Sequence, residues 1–160
     1  MARVAPAEHS RIVVAVADGD ESMHAAAVAA QLVAPRGELV FVHVLEVPLE
    51  FPLDAPPPPG EEAARRRGRE LLARCEAAAD RCGVTSKRAL RRRHAAGPAI
   101  LEVAEKVGAN LVVIAGEQRF ARSGRLRLGT TATYVLKHAP CRVMVISGQA
   151  AAAGLTAKVA

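Results

Sequence analysis

The sequence predicts an α/β protein built on an open five-stranded parallel sheet with helices on both faces. Three observations lead there. Short unbroken runs of Val, Ile and Leu, the mark of strands buried on both faces, alternate with stretches of helical periodicity. The length of 160 residues suits one domain with a sizeable core. Hydrophobic residues make up 51% but aromatics only 2%, so the core must rest on Val, Leu, Ile and close alanine packing, as in a sheet covered by helices.

Ile12 to Val16 reads as the first strand, closed by the turn Ala17-Asp18-Gly19-Asp20. Asp18 and Glu21 have capping-box spacing, and Met23, Ala26, Ala27, Ala30, Val33 and Ala34 recur on one helical face as far as Pro35 and Gly37. Glu38 to Leu45, rich in β-branched residues, is the second strand. Six prolines between Glu46 and Gly60 preclude long regular structure there. Glu61 to Cys82 is the longest helix, with Leu71, Leu72, Cys75, Ala78, Ala79 and Cys82 on one face. Glu61/Arg65, Glu62/Arg66 and Glu70/Arg74 are spaced to pair along it, and Gly83 closes it. Thr85 to His94 is rich in arginine, which fits an edge strand.

Gly97-Pro98 opens a third helix that turns Ile100, Leu101, Ala104 and Val107 inward and stops at Gly108. Leu111 to Ala115 is the fourth strand, Gly129 to His138 the fourth helix and Val143 to Ile146 the fifth strand. Alternation of this kind requires right-handed crossovers, because a parallel neighbour is reached only by a long return path. The expected organisation is one domain over 11–148 between flexible ends, 1–10 and 149–160.

A net charge of +6 and a pI near 9.9 invite a nucleic-acid reading. With no Trp, one Tyr (Tyr134) and three Phe there is little on which bases could stack, so no nucleic-acid partner is expected. The Arg65–Arg67 and Arg91–Arg93 runs read as solvated, ion-paired faces. Cys75, Cys82 and Cys141 have no metal or disulfide spacing and read as reduced core residues. No apolar stretch reaches the roughly 18–20 residues of a membrane span, so a soluble cytoplasmic protein without membrane insertion is expected. His43 reads as a satisfied core or lining residue and His138 as a helix-terminal charge. No Ser or Cys stands beside a recognisable base, so no catalytic group is assigned and no metal site is expected.

In an open parallel sheet a ligand binds beyond the carboxyl ends of the strands, where the strand order reverses. Two loops are equipped for this, Ala17 to Asp20 and Gly116 to Leu128. Glycines let backbone amides approach phosphate oxygens, and a helix starting near Gly129 turns unpaired N–H groups toward an anion. Arg119, Arg122, Arg125 and Arg127 reinforce that polarity as further phosphate contacts. Gly124 to Thr131 nearly spells a Walker A loop, but Thr130 stands where its lysine would be, which disfavours phosphoryl transfer of that type.

Asn110 to Gly116, Gly129-Thr130 and Tyr134 to Val145 follow one known pattern of strand, loop, helix and strand almost position by position. On these segments the chain, from Arg11 to Ser147, resembles the universal stress protein family. The resemblance implies an adenine nucleotide alpha hydrolase-like sheet of order 3-2-1-4-5, homodimers formed through the last strand, and in one branch ATP bound through G-x2-G-x9-G-[ST]. Gly116, Gly129 and Thr130 match that motif, whereas its middle glycine is Arg119 and the family's adenosine-contacting aspartate falls at Ala17, one place before Asp18. Val44 and Ala115 match the apolar positions placed against an adenine, with Val16 close by and Thr131 among the phosphate contacts. Val44 to Ala55 and Leu128 to Tyr134 are also similar to the stress-type domains attached to amino acid permeases. Two functions follow as expectations. One is a regulatory protein that binds ATP or a related adenine nucleotide, with at most slow hydrolysis; the other is a degenerate homodimeric interaction module acting with a permease or another partner.

Overall fold

The computed structural model describes residues 9–116, 119–120 and 126–147, with backbone alone for 119–120, 126–127 and 147. In chain order the elements are β1 (His9–Ala15), α1 (Asp20–Leu32), β2 (Val33–Glu46), α2 (Glu61–Arg81), β3 (Thr85–Arg93), α3 (Ala96–Val107) and β4 (Leu111–Gly116). They are followed by β5 (Arg119–Phe120), β6 (Leu126–Arg127), α4 (Thr130–His138) and β7 (Arg142–Ser147). The main sheet has the order β3-β2-β1-β4-β7 and every pairing in it is parallel. This is the order 3-2-1-4-5 that the family resemblance implied.

Successive residues of the central strands serve opposite faces, because side chains alternate along a strand. Ile12, Val14, Leu39 and Phe41 pack with Ala25, Ala26, Ala29, Leu72 and Cys75 of α1 and α2. Val13, Val40, Val42 and Val112 pack with Ile100, Leu101 and Val135 of α3 and α4. Alanines on α1 bring that helix close to the sheet. Gly68 does the same for α2, since a Cβ there would stand 2.6 Å from Cδ2 of the His43 ring.

Several boundaries differ from expectation for local reasons. Asp18 does not cap α1; Gly19 precedes it with φ 127° and no side chain caps the helix. The helix stops at Leu32, and Val33 and Ala34 are already strand, because Pro35 disfavours a helical conformation in the residue before it and cannot donate within a helix. Cys82 is exposed rather than core, since it sits at the C-cap of α2 where the buried face has ended. Along α2 the Glu61–Arg65 pair forms at 3.2 Å, but the Glu62 carboxylate turns to Arg65 and Arg69, both at 3.9 Å, rather than to Arg66. Glu70 and Arg74 form no ion pair among the described residues.

The arginine-rich β3 is an edge strand, as its composition predicts, and four of its five cations, all but Arg91, are ion-paired among the described residues. Lys87 meets Glu38 at 3.0 Å, Arg88 meets Glu76 at 3.6 Å, Arg92 meets Glu61 at 2.8 Å and Arg93 meets Glu102 at 3.0 Å. The hydrogen bond from Arg92 holds the Glu61 carboxyl below its ordinary value of 4.5, with burial opposing and Arg65 assisting. The hydrogen bond from Arg93 does the same for Glu102.

A carboxylate depressed in the folded state contributes stability that is complete above the unfolded value and is lost as pH falls through the folded one. The urea midpoint is therefore expected to be level from neutral pH to about pH 5 and to fall at lower pH, with a weaker acid dependence in Glu102→Gln. A wild-type profile that stays level throughout the acid range would contradict these assignments.

Candidate functional site

The chain leaves β1 toward β2 on one side and returns from β3 through α3 to β4 on the other. Loops after β1 and β4 therefore diverge, and a cleft opens at the carboxyl ends of the strands. Its volume of about 540 Å³ is that of a small-molecule site. Val16, Ala17, Val44, Ala115, Gly116, Gly129, Thr130 and Thr131, all singled out in the sequence, line this one cleft. Asp18 does not; it lines a neighbouring cavity on the β2 side. Arg119 and Arg127 face each other in a two-stranded antiparallel hairpin, β5–β6, which the sequence reading took as irregular loop. Their side chains, and Arg122 and Arg125 altogether, lie outside the described residues.

Local structure gives the cleft two unlike halves. Val42, Val44, Ile100, Ile114 and Ala115 form an apolar slot where the strands end. Opposite it α4 begins. Gly129 is its N-cap with φ −60°, and no side chain caps this helix, so its first N–H groups are left for a ligand or water. Thr130 and Thr131, the first two residues of α4, both line the cleft. Partial positive charge at a helix N-terminus favours an anion there.

Sequence reasoning missed two polar residues of the lining, Ser22 and Glu46. Ser22, 2% exposed, accepts a hydrogen bond from Ala17 N at 2.8 Å and fixes the turn after β1. Glu46 accepts from Ala96 N at 2.9 Å with Oε1, tying the end of β2 to the start of α3. His43, expected as a satisfied core or lining residue, donates from Nδ1 to the Val16 carbonyl at 2.8 Å and lines the cleft. That bond fixes the ring, whose Cδ2–Nε2 edge lies against Gly68 of α2. Among the described residues no group of three His, Cys, Asp or Glu could hold a metal ion. The arrangement suits retention of a molecule with a flat apolar part and an anionic part.

The sheet order and the cleft define a doubly wound α/β protein with a ligand-sized opening at its switch point. The universal stress protein family model matches residues 8–147, and the chain belongs to that family. No curated protein matches it by sequence. Among solved structures, the universal stress protein from Archaeoglobus fulgidus is 22% identical with a TM-score of 0.67, over 86% of this chain and 98% of that one. A universal stress protein family member from Burkholderia pseudomallei is 28% identical, with a TM-score of 0.64 over 86% and 96%. The Archaeoglobus fulgidus protein in complex with dAMP is 23% identical, with a TM-score of 0.59 over 86% and 98%. These likenesses cover the same sheet and the same strand order.

Proposed function

We propose that this universal stress-type protein is a regulatory binding protein that holds ATP or another adenine nucleotide at the β1/β4 switch point. The observation that carries the reading is the cleft itself, an apolar slot facing an uncapped helix N-terminus. The base would lie against Val16, Val44 and Ala115. Phosphates would meet the amides of Gly116, Gly129 and Thr130 and the Thr131 hydroxyl, with Arg119, Arg122, Arg125 and Arg127 as further phosphate contacts. The dAMP complex of a protein with this fold supports the same ligand class. The protein would act by binding, in the cytoplasm, as a homodimer joined along the free edge of β7, with hydrolysis at most slow. Its working unit would be the domain over 11–148.

ATP, ADP, AMP and cyclic AMP are each to be tested by thermal shift. A nucleotide at about 100 times its Kd adds roughly 2.7 kcal/mol to stability, and in a chain of this size each kcal/mol moves Tm by about 2–4 °C. A rise of several degrees with at least one of them is expected. Four unmoved melting temperatures would sink the nucleotide reading.

A second reading is favoured by one feature of the proline-rich segment. Pro48-Leu49-Glu50-Phe51 and Pro52-Leu53-Asp54-Ala55 form consecutive turns, each closed by a backbone hydrogen bond, at 3.0 and 3.1 Å. They present Leu49, Phe51 and Leu53 to solvent, 82%, 44% and 37% exposed. Three exposed apolar side chains within five residues offer a contact surface to a partner. In this reading the protein is an interaction module with an altered nucleotide site that docks on an amino acid permease or another transporter, and it takes over if the four nucleotides have no effect.

A further inference from the structure

Both α3 and α4 begin at the rim of the cleft, and they differ in what stands at their N-termini. α4 starts after Gly129 with no side chain over its first amides. α3 starts at Ala96, which also lines the cleft, and its own N-cap residue, Ala95, has no side-chain acceptor to offer. Glu46 fills that place from β2, where its Oε1 accepts from Ala96 N at 2.9 Å. A carboxylate there complements the α3 dipole and is held by a charge-assisted hydrogen bond. One helix start at the cleft is therefore occupied by an anionic group of the protein itself, and the other is open.

Glu46 is the only Asp, Glu, Lys or Arg among the described residues that line the cleft. Its place follows from the strand. Val42, Val44 and Glu46 alternate onto one face of β2, so they lead from the floor, where Val42 is buried, to the mouth, where Glu46 is exposed. Oε2 accepts no hydrogen bond and meets no cationic side chain among the described residues. The polar groups deeper in the cleft are already engaged, Ser22 with Ala17 N and His43 Nδ1 with the Val16 carbonyl.

The cleft is thus divided by charge. A carboxylate repels phosphate and accepts from O–H groups, whereas the open start of α4 attracts phosphate. A nucleotide with its base on Val44 and Ala115 and its phosphate at α4 carries its sugar across the mouth of the apolar slot. In doubly wound sheets that bind dinucleotides, an acidic residue downstream of the first strand–helix turn holds a ribose hydroxyl.

We infer that Glu46 is the sugar-recognising residue of the cleft: Oε2 accepts from the ribose hydroxyls, and the charge keeps phosphate away from α3 and directs it to α4. The inference rests on the nucleotide reading and narrows its ligand class to 5′-phosphorylated ribonucleotides with free 2′ and 3′ hydroxyls.

The test compares AMP with 2′,3′-dideoxy-AMP by isothermal titration calorimetry, on the wild-type protein and on Glu46→Gln. Gln keeps an oxygen for Ala96 N and loses the charge, so the free variant is expected to melt where the wild type does. Wild type is expected to prefer AMP by about tenfold, the weight of one hydrogen bond to a charged group. The variant should lose most of that preference through weaker AMP binding, with affinity for the dideoxy compound level or higher. A merely structural role for Glu46 would weaken both ligands alike and leave their ratio unmoved. Equal wild-type affinities for the two nucleotides overturn the inference and leave the nucleotide reading standing; so does an undiminished preference for AMP in Glu46→Gln. If neither nucleotide binds the wild type, the nucleotide reading falls and the inference with it.

Discussion

Gly129→Asp is expected to remove nucleotide binding while leaving the free protein at least as stable as before. A Cβ at this position meets nothing within 4 Å, and φ of −60° suits any residue, so the substitution introduces neither clash nor strain. Asp is a better N-cap than Gly by a few tenths of a kcal/mol, and its charge complements the helix dipole. The same charge would sit where the phosphates are to bind. At about 4 Å and an effective dielectric near 20, two like charges repel by roughly 4 kcal/mol, a loss of two to three orders of magnitude in affinity. Thermal shift reads both effects at once: Tm of the free protein level or about 1 °C higher, and no further rise with nucleotide. A variant that still responds to nucleotide like the wild type would move the phosphates away from the start of α4.

The largest stability loss is expected from Phe41→Ala. Phe41 is fully buried in β2, opposite Val14 of β1, and packs into the layer made with α1 and α2. Truncation removes that burial and leaves a cavity, costing about 3–5 kcal/mol. Small domains hold only about 5–15 kcal/mol in all, so Tm should fall by roughly 10 °C or more. The urea midpoint should drop with little change in slope, because the surface exposed on unfolding is nearly the same. Nucleotide should restore part of the loss, since the following residues Val42 to Val44 still line the cleft. A cost below about 1 kcal/mol would mean that β2 is not the packed centre described here.

The fold was largely legible because its signals are local. Unbroken apolar strands, helical periodicity and breakers such as Gly108 and Pro35 each act within a few residues, and Arg-rich β3 fell at an edge as charge demands. The glycine and threonine positions of the cleft were legible for the same reason. Contacts across long sequence separations were not: His43 reaches Val16 over 27 residues, and Glu46 reaches Ala96 over 50. Neither pair has a spacing that would reveal it. Ser22 was hidden differently, as one small polar residue on an alanine-rich helix, and only the turn at Ala17 gives its hydroxyl a purpose. Asp18 lines the neighbouring cavity instead of the cleft because a strand end decides direction as well as distance, and one position along the turn separates the two. The β5–β6 hairpin has two-residue strands joined without an Asn-Gly type of turn signal, too short to register as periodicity.

The most direct measurement of the central claim is a crystal structure of the protein grown with AMP or ATP. The expected density places the base against Val44 and Ala115 and the phosphates on the amides of Gly129 and Thr130, between the ends of β1 and β4. A nucleotide seated elsewhere on the surface, with this cleft empty, would contradict it.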